Sequence, residues 1–191
     1  MLLSLYENDG GITMRKTKKI ALTSLCAALG TVFLSVGVLL NVLDMTAALL
    51  ASFLVLFSLL EMGYAYALAL FAVTSLLSLI LMPQASAPWM FLLLFGYIPI
   101  SKFGFEHLLG RIFSWIPKLV IFNGVYAVMI FLLGELLGFT VENAFGIPPH
   151  FIYIAFFAVG NLVYLLCDIL YGRLARLYMV KFRERFSRYL K

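Results

Sequence analysis

Charge is what this sequence has least of. Only 12% of its 191 residues are Asp, Glu, Lys or Arg, about half of the roughly 25% found in soluble domains. That is too little to cover a water-facing surface. Histidine is reduced to His107 and His150, and cysteine to Cys26 and Cys167. There is no HExxH, GxSxG or CxxC sequence, no Walker motif, and no carboxylate pair spaced to hold a metal against a phosphate. Metal ligation and nucleophilic hydrolysis therefore lack their residues, and no metal, cofactor or enzymatic activity is expected. Both cysteines fall inside apolar runs, so a disulfide is not expected either.

What fills the chain instead is hydrocarbon. The sequence is 64% hydrophobic, with a mean hydropathy of +1.05. A membrane-crossing helix needs about 20 mostly apolar residues. Six segments approach or exceed that: Ile20–Leu43, Met45–Leu60, Tyr64–Met82, Trp89–Ser101, Leu119–Leu137 and Phe151–Tyr171. Between them Asp44, Glu61-Met62-Gly63, Pro83–Pro88, Ser101–Lys118 and Gly138–His150 collect most of the remaining Pro, Gly and charge. The expected fold is all-α, a bundle of six transmembrane helices in one integral membrane domain spanning residues 1–191.

The cations are strongly one-sided. Every Lys and Arg lies in Arg15–Lys19, Lys102–Lys118 or Arg173–Lys191. With six spans these three places share one face, and five or seven spans would split them. The tendency of Lys and Arg to stay inside puts both termini in the cytoplasm. Residues 1–19 then form a cytoplasmic N-terminal segment and residues 173–191 a basic cytoplasmic tail. The net charge of +5 is accounted for by anionic lipid headgroups, with no need for nucleic acid. The first apolar run is too long for a signal peptide and has no small-residue cleavage site. "MLLSLYENDGGIT" is unlike the rest of the chain, so Met14 is a candidate start; a short cytoplasmic tail is the equal alternative.

Ionisable groups within spans carry the functional weight. Asn161, Tyr164 and Asp168 share one face of the last span and are expected to turn into the bundle. Asp168 is either a group on a transport path or the partner of Lys118, Arg111 or Lys102 at the cytoplasmic boundary. Glu61 is expected to be solvated or paired with Lys102. At the opposite face Asn41, Asp44, Gln84, Trp89, Glu135, Glu142, Asn143 and His150 gather with Phe145, Phe151 and Tyr153. Aromatic walls with a few polar groups suit a small-molecule ligand, with Trp89, Glu135, Glu142, Asn143 and His150 as its candidate contacts. An ordinary interfacial aromatic belt is the competing reading. No inverted repeat relates the two halves, and Pro99 falls near the inner end of the fourth apolar run.

The first span is rich in small residues. Ala21, Ser24, Ala28, Thr31 and Ser35 form one stripe, widened by Thr23, Ala27, Gly30 and Gly37. In lipid, close approach through small residues drives helix packing. One flank of so wide a stripe can serve the bundle and the other a partner.

Six spans, cytoplasmic ends and the start "MRKTKKIALTSLCAALG" resemble the substrate-capture (S) components of energy-coupling-factor transporters. In that family the first helix carries AxxxA-type spacing, matched loosely here by Ser24-x-x-x-Ala28. The resemblance implies docking on the transmembrane coupling subunit of an importer whose ATPases drive uptake of a vitamin-like solute. It implies no ATP site in this chain and does not extend to a vitamin-specific pattern. The alternative is a non-catalytic membrane scaffold of cell-envelope assembly, similar to rod-shape-determining proteins of comparable size.

Overall fold

A computed structural model describes residues 16–40, 43–137 and 149–182, with the side chains of 109, 111–112, 132–137, 149–153 and 182 left aside. Among the described residues there are helices and turns and no strand. Helix α1 is Lys16–Leu40, α2 Asp44–Glu61 and α3 Tyr64–Leu81. The short α4, Ser86–Met90, runs through a wide π turn at Phe91–Phe95 towards α5, Ile98–Phe113. Helix α6 is Trp115–Leu137 and α7 Pro149–Leu177, which ends in a second π turn at Tyr178–Phe182.

Five stretches are long and apolar enough to cross a membrane: α1, α2, α3, the broken helix Ser86–Leu108 and Ile154–Lys181. Helix α6 adds a shorter apolar stretch, Trp115–Phe131. At 1.5 Å per residue, the 25 residues of α1 reach about 37 Å, beyond the roughly 30 Å of hydrocarbon, whereas the 18-residue α2 and α3 reach about 27 Å. The two shorter helices have no length to spare for tilt.

Side-chain placement marks the solvent as lipid. On α3 the buried residues are Ala67, Leu70, Thr74, Ser75 and Ser78, while Leu68, Val73, Leu76, Leu77 and Ile80 are exposed. The outside of this helix is thus more apolar than its inside. A water-soluble bundle would show the reverse, and the protein is a membrane-embedded, multi-pass helical bundle.

Helix α1 packs along both α2 and α3. Its buried residues are Cys26, Ala27, Gly30, Thr31, Leu34 and Gly37. A methyl group at 37 would overlap the Ala47 side chain, so glycine there lets two backbones meet near the α1–α2 turn. Helix α2 and the broken α4–α5 helix form the centre, with α6 and α7 on the far side from α1.

The fourth span differs from its expected form. It starts at Ser86 and continues through the charged stretch to Leu108, in place of the expected Trp89–Ser101. Pro99 consequently sits near the middle of this span and not near one end. Proline has no N–H to give Phe95, four residues back. Ser52 Oγ supplies the missing donor, 2.7 Å from the Phe95 carbonyl oxygen, and Tyr171 OH donates to Ser52 Oγ at 2.7 Å. The break is thereby sealed by α2 and α7.

Candidate functional site

The charges that extend the fourth span do not reach into lipid. Lys102 and Glu106 are one turn apart on α5; Lys102 meets Asp168 of α7 and Glu106 meets Lys118 of α6. Lys102 Nζ donates to Asp168 Oδ2 at 2.6 Å and lies 3.3 Å from Glu106 Oε1. Lys118 Nζ donates to the same Glu106 oxygen at 2.9 Å and stands 3.6 Å from Asp168 Oδ1. Two ammonium groups and two carboxylates make a neutral quartet.

Burial decides how much depends on this arrangement. The Lys118 side chain is 0% exposed, Asp168 5% and Lys102 8%, with Glu106 the most open at 21%. An exposed ion pair contributes little, but any one of these ions left alone would be stranded in low dielectric. Lys118 also lies over the Trp115 ring, 6.0 Å from its centroid. The arrangement can hold charge inside the bundle and join three helices by it.

A second polar layer continues along α6 and α7. Asn123 and Asn161 exchange amide hydrogen bonds at 3.1 and 2.8 Å. Each amide nitrogen also donates to the carbonyl four residues earlier, Leu119 and Phe157, at 2.9 Å. Between this layer and the quartet, Phe122 stacks on Tyr164 with centroids 4.4 Å apart. Tyr126 donates to the Phe156 carbonyl at 3.1 Å, and its ring lies where a side chain at 160 would be; a Cβ there would come within 2.7 Å. Asn161, Tyr164 and Asp168 are all turned inward. Asp168 takes two of the three partners named for it, Lys102 and Lys118; the side chain of the third, Arg111, lies outside the described residues. Glu61 instead accepts from Tyr178 OH at 2.8 Å; its expected partner Lys102 is committed to the quartet.

At the other end, Trp89 Nε1 donates to the Pro83 carbonyl at 3.0 Å, and Ser86 Oγ donates to Asp44 Oδ2. Asn41, Glu142, Asn143 and Phe145, and the side chains of Glu135, His150, Phe151 and Tyr153, lie outside the described residues. Of the expected ligand contacts only Trp89 is described, engaged with its own turn. On α1, Ala21, Ser24 and Ala28 are exposed, Ser35 is half-buried and Thr31 is buried. The hydroxyls of Ser24, Thr31 and Ser35 bond back to Ile20, Ala27 and Thr31 carbonyls at 2.9 Å, so none reaches another helix.

Sequence reasoning does not single out Glu106, Asn123 or Ser52. Asn123 carries a signal, as the one amide in a long apolar run facing Asn161 at matching depth. Ser52 carries none, because its role depends on a carbonyl that Pro99 frees in another helix. Compared with known family models, curated proteins and solved structures, the chain matches none.

Proposed function

We propose that the protein is the substrate-binding membrane subunit of a bacterial importer for small, vitamin-like solutes, docked on a transmembrane coupling subunit driven by ATPases. It sits in the cell membrane as six spans with both termini cytoplasmic, the quartet towards the inner face. The observation that carries a transport role is the fourth span, broken near its centre by the Phe91–Phe95 π turn and Pro99. Discontinuous helices at mid-membrane are a recurrent feature of transporters. Docking is supported by α1, whose small residues divide between two uses. Ala27, Gly30 and Gly37 are taken up by α2 and α3, and Ala21, Ser24 and Ala28 remain open to lipid or a partner helix.

A scaffold of cell-envelope assembly is the second reading. It is favoured by the quartet, whose charges neutralise one another and leave none of the four for a solute. Purified protein heated with a panel of vitamins and small metabolites separates the two. A subunit of an importer gains about 2.7 kcal/mol at a ligand concentration of 100 times Kd, and purifies from native membranes with an ATPase module. No stabilisation by any solute, together with recovery of envelope-assembly proteins, rejects the importer.

A further inference from the structure

Lys102, Glu106, Lys118 and Asp168 admit two complete pairings. In the pairing observed, Lys102 bonds Asp168 at 2.6 Å and Lys118 bonds Glu106 at 2.9 Å. In the other, Lys102 pairs with Glu106 and Lys118 with Asp168, partners already 3.3 and 3.6 Å apart. Each ammonium is therefore within ion-pair distance of both carboxylates. Asp168 Oδ1, buried and without a hydrogen-bond partner, is the acceptor that Lys118 would take up. Both pairings are neutral, so exchange strands no ion in the membrane interior.

The two pairings join different helices. As observed, α5 is tied to α7 through Lys102–Asp168 and to α6 through Glu106–Lys118. After exchange, Lys102–Glu106 lies within α5, and Lys118–Asp168 ties α6 directly to α7. Helix α5 then loses both ionic tethers while its neighbours stay joined. Its backbone is interrupted on either side of these residues. Pro99 removes one helical bond before them, and Gly110 leaves helical geometry after them, at φ 74° and ψ 172°. The Tyr64 hydroxyl holds the Ile100 carbonyl only at 3.4 Å, the long end of hydrogen bonding.

We infer that the quartet is a two-position switch, in which exchange of ion partners releases the part of α5 between Pro99 and Gly110 to shift against α6 and α7. Small displacements at a discrete pairing become helix movements because packed elements occupy distinct arrangements.

Two neutral double variants isolate the positions. Lys118→Met with Glu106→Gln keeps only Lys102–Asp168 and holds α5 on α7. Lys102→Met with Glu106→Gln keeps only Lys118–Asp168 and leaves α5 untied. Spin labels at cysteines replacing Leu108 and Leu177, 76% and 57% exposed, report the α5–α7 distance in full-length protein in lipid nanodiscs. Cys26 and Cys167 are buried away from the label. The unsubstituted quartet is expected to give two distance populations; the tied variant loses one and the untied variant loses the other. A single distance common to all three overturns the switch. If the untied variant is not recovered folded, the comparison of the other two suffices: an unsubstituted quartet showing only the tied distance also overturns it.

Discussion

Asn123 on α6 and Asn161 on α7 face each other amide to amide, each donating to the other's carbonyl oxygen. With their bonds to Leu119 and Phe157, both hydrogens of each amide are satisfied. Interhelical bonds of this kind in membranes average about 0.6 kcal/mol and reach about 1.7. Asn161→Leu should therefore cost about 1 kcal/mol in unfolding from mixed micelles, leaving the Asn123 amide half-used. The double change Asn123→Leu with Asn161→Leu should cost less than the sum of the singles. Strict additivity in a double-mutant cycle would mean that the pair is not coupled.

Removing one charge from the quartet is expected to be far costlier. Asp168→Asn leaves Lys102 and Lys118 facing a single carboxylate, at sites 8% and 0% exposed. Breaking a buried pair from one side typically costs about 3–5 kcal/mol. Adding Lys102→Met restores neutrality through Lys118–Glu106, and thermal unfolding should show most of the loss recovered. A double variant as unstable as Asp168→Asn would show that bond geometry, not charge balance, dominates.

Ser52 has a narrower role, which a compensating change exposes. Ser52→Ala orphans the Phe95 carbonyl and the Tyr171 hydroxyl together, at a cost of about 1–3 kcal/mol for buried groups left unsatisfied. Pro99→Ala in the same chain returns an N–H to the helix four residues after Phe95. The expectation is partial rescue, with Pro99→Ala more favourable in the Ser52→Ala background than beside the native serine. Equal effects in the two backgrounds would separate the serine from the proline.

The two sides of α1 should respond oppositely to bulk. Ala27 is 5% exposed, and Ala27→Leu should cost about 1–3 kcal/mol by overpacking. Ala28 is exposed, and Ala28→Leu should leave unfolding within about 0.5 kcal/mol; on the proposed importer function, it should also reduce recovery of an associated coupling subunit. If Ala28→Leu changes neither folding nor association, the exposed flank is not a docking surface.

Much of the bundle is legible in the sequence because apolar runs of sufficient length mark its helices. Asp168 is legible for the same reason: a lone acid in an apolar run needs a cation, and few are in reach. Glu106 is not. The density of charge from Ser101 to Lys118 resembles a loop, and only the partners on α6 and α7 make a helix tenable there. The inward use of Ala27, Gly30 and Gly37 follows from their size, but which flank of α1 turns inward depends on Thr74 and Ala47 of neighbouring helices. The proposed ligand contacts Glu142 and Asn143, and the side chains of Glu135 and His150, lie outside the described residues.

The quartet also imposes an order on manufacture. Lys118 leaves the ribosome 50 residues ahead of Asp168, a wait of roughly 3–10 s at about 5–20 residues per second. During that interval the quartet holds two ammonium groups, Lys102 and Lys118, and one carboxylate, Glu106, and a surplus ammonium is costly to bury in the bilayer. The third and fourth apolar segments to emerge can enter, but the cationic hairpin after them cannot settle until the last helix arrives. A nascent chain stalled before Asp168 is thus a distinct chemical species, in which the quartet bears an uncancelled positive charge.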